Sequence, residues 1–359
     1  MTVDACDACL RRTDLIAALG GVLDVQWRTR SACSRVLGLA DEVLLGLAPG
    51  EGPRRRYEAF DPPAARERIA AARLGAACRC AAAYPAVLRE LPDPPAVLHV
   101  GGDPAVLEAP GAAAIVGARR ASSYGLEVAR GLGRALSRAG VTVVSGMALG
   151  VDSAAHAGAL EGPSPTVAVL AGGANVAYPA SKRGLHAEIL ARGCVVSEMP
   201  PGFNAFRWCF PARNRIIAGL AAVTVVVEAA ERSGSLITVD FAAELGRPVA
   251  AVPGQVTSRL AAGTNGLLQS GAALVRGGAD VLDLLFSDGA PRPCPPPAAG
   301  PELEPRLRAL LDAVEQGGGS VARLARTPEE ARLAIRGLTE LEVLGLVRRE
   351  FGGRYVRCA

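Results

Sequence analysis

Short apolar runs that alternate with amphipathic stretches between residues 94 and 286 restrict the possible folds most strongly. Each run is almost continuously apolar, as expected for strands that are covered on both faces of a sheet. Repeated β–α–β units with right-handed crossovers then give a doubly wound, mostly parallel α/β sheet. Six runs are predicted to be its strands: Ala113–Gly117, Val141–Ser145, Thr166–Leu170, Cys194–Ser197, Val223–Val227 and Val249–Val252.

Composition divides the chain into four regions. Residues 1–85 are rich in Ala, Leu and Arg with helical spacing, which predicts a small helical domain, and residues 94–286 form the α/β region. Residues 287–304 are proline-rich and are expected to be an extended linker. Residues 305–359 have the order helix, short helix, longer helix and glycine-containing ribbon, which is typical of a winged-helix domain.

Charge and cysteine content limit the classes of function. Half of the 359 residues are hydrophobic, and the formal net charge is only +4, so strongly basic, histone-like binding is not indicated. Lys182 is the only lysine; the other basic residues are arginines, which suit forked phosphate contacts and stacking on bases. The N-terminus lacks the pattern of a signal peptide, and no apolar stretch is long enough for a membrane helix. Nine scattered cysteines favour the reducing cytoplasm.

The unusual residues of the α/β region follow the predicted strands. Ligands of an open parallel sheet bind beyond the carboxyl ends of its strands, and glycine-rich turns there offer backbone N–H groups to phosphate. Glycine in a single such turn is also explained by the tight path of the backbone from strand to helix. Only the whole set of turns therefore indicates a phosphate-binding site. Neither a G-x-G-x-x-G fingerprint nor a P-loop is present, so no nucleotide cofactor is expected. The turns are at 117–120, 145–152, 172–173, 198, 228–235 and 253–254.

Aromatic residues interleave with arginines in residues 206–220, FRWCFPARNRIIAGL. This combination supplies stacking faces and phosphate ligands together, as single-stranded nucleic acid requires. The alternative is that Phe206, Trp208 and Phe210 belong to the core and that the arginines are structural. Spacing alone does not separate the two interpretations.

The motifs as a series resemble the DprA/Smf family. AIVGARRASSYG, SGMALGVDSAAHAGAL, LAGGANVAYP, FPARNRIIAGL, VVVEAAERSGSLITVDFAAELGR and GTNGLLQSGA occur in the family's order between Leu98 and Val281. The resemblance implies a non-enzymatic protein that binds single-stranded DNA and hands it to the RecA recombinase in natural transformation. It also implies an extended Rossmann-like central domain that forms a homodimer, an N-terminal SAM-like domain and a C-terminal winged helix.

By this resemblance the DNA pocket lies on the rim of strand ends. Arg119 is expected to bind a backbone phosphate, and Lys182 or Arg183 to supply the positive charge that follows the family's YP motif. Some residues of the RNR signature are expected to brace the pocket. Leu149 departs from the family, which often has arginine there, and removes one possible phosphate contact. The predicted DNA-binding residues are Gly117, Arg119, Arg120, Ser145, Gly146, Gly150, Gly172, Gly173, Lys182, Arg183, Phe210, Arg213, Asn214, Arg215, Ser233, Gly234 and Ser235.

Two other functions stay open. LOG-like nucleoside-monophosphate phosphoribohydrolases have a similar fold, but the glutamate of their P-G-G-x-G-T-x-x-E motif is missing from AGGANVAYP. Glu198 and Glu228 remain possible acid–base partners of Asp152. A duplex-DNA regulator would read bases with the helix that begins near Pro328, but the polar face of that helix is largely acidic.

Cysteines near the N-terminus suggest a metal. Cys6-x-x-Cys9 and Cys78-Arg79-Cys80 provide four thiols that a fold could bring together as a zinc clamp between the N-terminal segment and the central region. Free thiols are the alternative, because a lone CxxC is a weak signal and CxC is a less usual second half. No other cofactor is expected.

Overall fold

The computed structural model describes residues 2–26, 36–48, 50–109, 111–286, 303–315, 324–325, 327–344, 346–349 and 355–357. The chain divides into two compact units, residues 1–296 and residues 297–359. In the described residues, no helix is both long and apolar enough to cross a membrane.

The first unit begins with elements that lead into the sheet. Asp61 starts one of the helices, because its side chain accepts a hydrogen bond from the N–H of Ala64 (3.1 Å) and proline follows it. In chain order the elements are β1 Val3–Asp4, α1 Asp7–Ala18, α2 Gly20–Gln26, α3 Asp41–Gly46, α4 Gly52–Glu58, α5 Pro62–Ala71, β2 Gly75–Cys78, α6 Ala86–Arg89 and β3 Val97–Gly102.

The remaining elements of this unit alternate strand and helix. Its longest helix begins where the hydroxyl of Ser122 accepts a hydrogen bond from the N–H of Gly125 (3.1 Å). The elements are β4 Ala113–Val116, α7 Ser123–Arg138, β5 Val143–Ser145, α8 Val151–Leu160, β6 Thr166–Val169, α9 Arg183–Arg192, β7 Cys194–Ser197, α10 Cys209–Leu220, β8 Val223–Val226, α11 Leu236–Glu244, β9 Val249–Ala251, α12 Ala262–Gln269, β10 Ala273–Leu274 and α13 Gly278–Phe286.

The ten strands form one sheet in the order β1-β2-β3-β7-β6-β5-β4-β8-β9-β10. All neighbouring strands from β7 to β10 are parallel, whereas β3 is antiparallel to both β2 and β7. The chain winds outward from β4 to β7 and then returns to place β8 on the other side of β4. The order therefore reverses between β4 and β8, which makes this the topological switch point of a doubly wound sheet.

The expected parallel sheet is present, and each of the six predicted strands occurs, most of them ending one residue earlier. The sheet extends further than expected: β1 and β2 lie within residues 1–85, which composition predicts to be helical, and β3 lies beside them. β2 was not predicted because its four residues, Gly75–Cys78, are too few and too small to show a strand pattern, although all four are buried. The helices α1 to α5 accompany these strands rather than standing alone.

Among its described residues, the second unit contains two helices, α14 Pro305–Glu315 and α15 Pro328–Val343, and an antiparallel ribbon of β11 Val347–Arg349 and β12 Tyr355–Arg357. A capping box between Thr327 and Glu330 starts α15. The predicted short middle helix, the Gly352–Gly353 turn and most of the 287–304 linker lie outside the described residues. The winged-helix assignment stays a prediction.

Candidate functional site

A cavity of about 650 Å³ opens at the switch point of the sheet. Its walls are the segments that follow β4, β5 and β8, together with the first turns of α10 and α11. These are the carboxyl ends of strands whose order reverses, where open α/β sheets bind their ligands. The lining residues that carry polar or aromatic groups are Arg119, Arg120, Asp152, Tyr178, Arg207, Phe210, Arg213, Asn214, Arg232, Ser233, Ser235 and Thr238.

The cavity carries a positive charge. Five of its described lining residues are arginines and one, Asp152, is an acid. Four of these arginines are exposed to solvent, so their charge faces whatever enters the cavity: Arg119, Arg120, Arg207 and Arg232. Walls of one sign of charge raise the local concentration of anions.

Aromatic rings lie beside these arginines. The guanidinium carbon of Arg119 is 5.0 Å from the centroid of the Phe210 ring, in cation–π contact. The ring of Tyr178, 52% exposed, is 5.4 Å from that of Phe210. Trp208 and Phe206 of the same stretch lie elsewhere: the indole N–H of Trp208 donates to Gly20 O (2.9 Å) in the N-terminal helices, and Phe206 packs on Phe203. Trp208 is therefore a core residue, Phe206 is an exposed residue outside the cavity, and Phe210 lines the cavity.

A second cavity of about 630 Å³ continues the basic surface. It shares Arg119 and Arg120 with the first cavity and adds Lys182, Arg130 and Gly150, with Glu127 as its one acid among the described lining residues. The two predicted sources of positive charge, the turn after β4 and the residue after the YP motif, are thus brought together here. Arg183 is exposed at the start of α9 and does not line either cavity.

Gly150 fixes the position of the arginine turn. Its φ is +80°, and a Cβ on it would lie 2.2 Å from the carbonyl oxygen of Ala118 and 2.7 Å from that of Arg119. The N–H of Val151 donates to Ala118 O (3.2 Å). Only glycine permits this backbone approach, so the turn that presents Arg119 rests directly on the start of α8.

Arg213 and Asn214 brace the cavity floor. Arg213 is buried, and its Nη1 donates to Gly146 O (2.6 Å) and to Val169 O, which joins the ends of β5 and β6. Burial lowers the pKa of Arg213 to about 10, although the negative charge of Asp152 acts to raise that pKa. The side-chain amide of Asn214 donates to Gly234 O (3.2 Å) and so holds the turn before α11. Gly146 leaves the room that the Arg213 guanidinium occupies.

Arg215 faces away from the cavity into the protein. Its Nη1 and Nη2 donate to the two oxygens of Glu198 (2.8 and 2.7 Å), and its Nε lies 3.1 Å from Asp93 Oδ2. All three side chains are buried. Burial acts to lower the pKa of Arg215, but the two carboxylates outweigh it and raise that pKa above its ordinary value. Burial also raises the pKa of Asp93 to about 6. This geometry favours a bracing role over a DNA contact.

Other predicted residues take structural positions near the rim. Ser145 is buried and its hydroxyl donates to Ile115 O (2.6 Å). Gly172 and Gly173 are buried against the backbone of Phe203 and Pro200 and do not line the cavity. Ser233 and Ser235 do line it, with their hydroxyl oxygens 2.7 Å apart, and Gly117 and Gly234 lie beside them in the wall.

The three carboxylates considered as acid–base partners are each engaged by the fold. Asp152 accepts from the N–H of Gly146 (3.2 Å), Glu198 is paired with Arg215, and Glu228 accepts from the N–H and hydroxyl of Ser122 (2.9 and 2.5 Å). Asp152 lines the arginine-rich cavity, whereas Glu228 lines a different one. The structure therefore does not bring them together as a catalytic group.

Arg207, Arg232 and Tyr178 line the cavity but were not among the predicted site residues. Arg232 lies in the turn after β8, just as Arg119 lies in the turn after β4. Its position after a strand could therefore have identified it as a site residue. Arg207 lies in the aromatic stretch that predicted nucleic-acid binding. The four cysteines predicted as zinc ligands lie together at the β1–β2 edge of the sheet, on the opposite side of β3 from the switch point.

Fold and site together define a doubly wound α/β protein with an arginine-lined cavity at its switch point. Residues 76–286, more than half of the chain, match the family described as DNA recombination-mediator protein A. The chain belongs to this family, which confirms the DprA/Smf resemblance.

Relatives extend the match. The putative DNA processing protein DprA of Mycobacterium tuberculosis is 43% identical over 242 residues, covering 66% of this chain and 60% of the relative's own length. Protein Smf of Synechocystis is 35% identical over 312 residues, covering 76% of this chain and 78% of the relative's own length.

Solved structures agree in fold. The X-ray structure of DNA processing protein A from Streptococcus pneumoniae has a TM-score of 0.62 and 33% identity, covering 77% of this chain and 95% of that one. The structure of DNA processing protein A from Helicobacter pylori, described for its single-stranded DNA binding mode, has a TM-score of 0.53 and 31% identity. The match covers 57% of this chain and 93% of that one.

Proposed function

We propose that the chain binds single-stranded DNA in the arginine-lined cavity at the switch point. The observation that carries the proposal is the placement of exposed Arg119, Arg120 and Arg207 around the rings of Phe210 and Tyr178. Arginines bind the phosphates of a single strand, and aromatic rings stack on its unpaired bases. Family membership and the DNA-binding Helicobacter pylori relative support the same ligand.

Single-stranded DNA is favoured over duplex because the rings lie inside a concave cavity. Phe210 is half-buried in the wall of the cavity, and Tyr178 also lines this cavity. A paired base keeps its faces stacked within the helix, so a duplex offers these rings nothing to stack on. The second cavity, beyond Arg119 and Arg120, gives the sugar–phosphate backbone a continuous basic path in which Lys182 takes part.

An enzymatic function has less support. Asp152, Glu198 and Glu228 each hold hydrogen bonds that build the fold, and they face different surroundings. We propose that the chain acts as a binding protein, and that neither phosphoribohydrolase chemistry nor duplex regulation by the second unit is its main activity.

The family's description supports a role in recombination. We propose that the DNA-bound protein, as a homodimer, loads RecA onto the strand during natural transformation in the cytoplasm. The family's description as a recombination mediator supports this role. RecA filament growth on oligonucleotides coated with a single-strand-binding protein tests it: this chain should shorten the lag. An unchanged lag, with DNA binding intact, would leave the binding proposal standing and remove the loading proposal.

Binding is tested by fluorescence anisotropy of a labelled oligo-dT strand and a labelled duplex over a series of salt concentrations. The wild type should prefer the single strand, and the slope of log K against log salt should be less steep by about 0.7 for Arg119→Ala, which loses one phosphate contact. Arg138→Ala is the matched control, because Arg138 ends α7 at the opposite edge of the sheet and is exposed. Equal affinity for strand and duplex, or equal losses in both variants, would overturn the proposal.

A further inference from the structure

Four cysteines from two distant segments meet beside the sheet edge. Cys6 immediately precedes α1 and Cys9 lies in its first turn, whereas Cys78 ends β2 and Cys80 lies in the turn that follows. Their four Sγ atoms all lie within 4.8 Å of one another, and those of Cys9 and Cys80 are 3.8 Å apart. Cys6 and Cys78 are 72 positions apart in sequence and Cys9 and Cys80 are 71 apart, so the parallel pairing of β1 with β2 is what brings the two pairs together.

This spacing fits one tetrahedral ion. Zn–S bonds of about 2.3 Å place the sulfurs of a tetrahedral site about 3.8 Å from one another. Disulfides would hold paired sulfurs about 2.05 Å apart, whereas all four cysteines are free thiols and the Sγ atoms of Cys9 and Cys80 are 3.8 Å apart. Four thiolates around a single point are the donor set of closed, structural zinc sites, which keep no position open for substrate.

The surroundings of the sulfurs suit a charged metal–thiolate group. The backbone N–H of Cys6 points to the Sγ of Cys78 at 3.4 Å, the kind of outer contact that orients a ligand and stabilises its negative charge. The guanidinium of Arg66 donates to Ala5 O (2.8 Å) and forms an ion pair with Asp7 (2.6 Å), which fixes the backbone on both sides of Cys6. Cys9 and Cys78 are buried while Cys6 and Cys80 are exposed, so an ion can enter from solvent.

We propose that a structural Zn²⁺ ion is bound by four thiolates, those of Cys6, Cys9, Cys78 and Cys80. Each thiol releases its proton to solvent on binding, and no oxidation or reduction takes place. The ion ties the start of the chain to the sheet, where β1 has only two residues and Cys9 packs in one cluster with Ile69 and Leu74. This inference does not depend on the proposed DNA site.

The clamp has a consequence for the helices that follow it. α1 leads directly into α2, and Gly20 at the start of α2 accepts the indole N–H of Trp208 (2.9 Å). Asp24 of α2 accepts from the backbone N–H of Trp208 (3.3 Å), and Trp208 precedes α10. Removal of the metal should therefore loosen the N-terminal helices and lower the unfolding temperature of the whole first unit.

Metal analysis tests the site directly. The full chain, purified with a thiol reductant and without chelator, should contain one zinc per chain by inductively coupled plasma mass spectrometry. Cys9→Ser and Cys80→Ser should each lower the zinc content well below one per chain, because each removes one of the four ligands of a closed site. Cys194→Ala is the matched control, because Cys194 is buried in β7 outside the cluster, and its zinc content should equal that of the wild type. Zinc near zero in the wild type, or iron in its place, overturns the proposal.

A second measurement covers variants that fail to fold. Wild-type protein refolded with Co²⁺ alone should show the sulfur-to-cobalt charge-transfer and ligand-field absorption of a tetrahedral tetrathiolate, and added Zn²⁺ should abolish it. A chelator should also lower the unfolding temperature of wild type and of Cys194→Ala equally. Absence of the cobalt spectrum, or full reactivity of all four thiols in zinc-treated folded protein, would show free thiols and overturn the site.

Discussion

The guanidinium of Arg119 lies over the ring of Phe210, 5.0 Å from its centroid, at the mouth of the switch-point cavity. Arg119 comes from the turn after β4 and Phe210 from the first turn of α10, so this contact joins the phosphate-binding and base-stacking parts of the proposed DNA site. A bound strand would contact both residues at once. The two contributions differ in their dependence on salt and can be separated experimentally.

Phe210→Ala should weaken binding of oligo-dT by about 1–3 kcal/mol, because one base loses its stacking partner. The dependence of affinity on salt should stay that of the wild type, since no charge is removed. Anisotropy titrations over a salt series measure both quantities. Phe210→Tyr is the control that keeps a ring and should keep most of the affinity. A changed salt slope with unchanged affinity at low salt would contradict a stacking role.

Leu149→Arg should strengthen binding of single-stranded DNA. Leu149 is 45% exposed and lies between Ala148, which lines the first cavity, and Gly150, which lines the second. An arginine there adds a phosphate ligand to the basic path, so log K should fall more steeply with log salt, by about 0.7. Leu149→Gln, polar but uncharged, is the control. Equal affinities for the two variants would show that position 149 is remote from the bound backbone.

Arg215→Leu should lower the free energy of unfolding by about 3–5 kcal/mol, because Asp93 and Glu198 would be left buried without their positive partner. Arg215→Lys should cost less, since it keeps the charge but loses the two-pronged contact with Glu198. Urea unfolding curves measure both. The folded fraction of Arg215→Lys should bind DNA with the affinity of the wild type. A loss of affinity without a loss of stability would make Arg215 a DNA ligand.

Arg213 and Arg215 illustrate where sequence-based prediction stops. The RNR string predicts a basic surface, but ten of the twelve residues of α10 are buried. Successive helix residues point about 100° apart, so two arginines two positions apart face different neighbours. Arg213 reaches the ends of β5 and β6, while Arg215 reaches Glu198. Which of them meets a ligand depends on packing partners that are distant in sequence.

The central sheet was predictable because each of its strands is buried on both faces and reads as a continuous apolar run. The edge formed by β1 and β2 was not, because β1 has only two residues and β2 consists of Gly, Ala and Cys, without the β-branched residues that mark the central strands. Glycine-rich turns located the cavity, since all parallel strands end at one edge. Arg232 lies within the predicted 228–235 turn, whereas Arg207 belongs to a loop whose course only the folded chain defines.

Acid should destabilise the first unit through two buried histidines. Burial lowers the pKa of His99 to about 4 and that of His156 to about 3, whereas both titrate near 6.5 in the unfolded chain. Between pH 6.5 and 4 the unfolded state therefore binds protons that the folded state excludes, and the free energy of unfolding falls as the pH falls. Asp93 acts in the opposite direction: its pKa of about 6 lies above its unfolded value, so its protonation between pH 6 and 4 favours the fold.

Each of the two histidines should lower the free energy of unfolding by about 2 kcal/mol between pH 7 and pH 5, whereas Asp93 and Asp152, whose pKa values burial raises, offset part of this loss. Urea unfolding at the two pH values measures the difference. His99→Leu removes one of the two histidines, so the free energy of unfolding should fall less between pH 7 and pH 5 than in the wild type, by about 2 kcal/mol. If the variant keeps the wild-type difference, His99 is not buried as a neutral ring. Asp93→Asn should enlarge the difference instead, and this opposite response distinguishes specific titration from a general effect of acid.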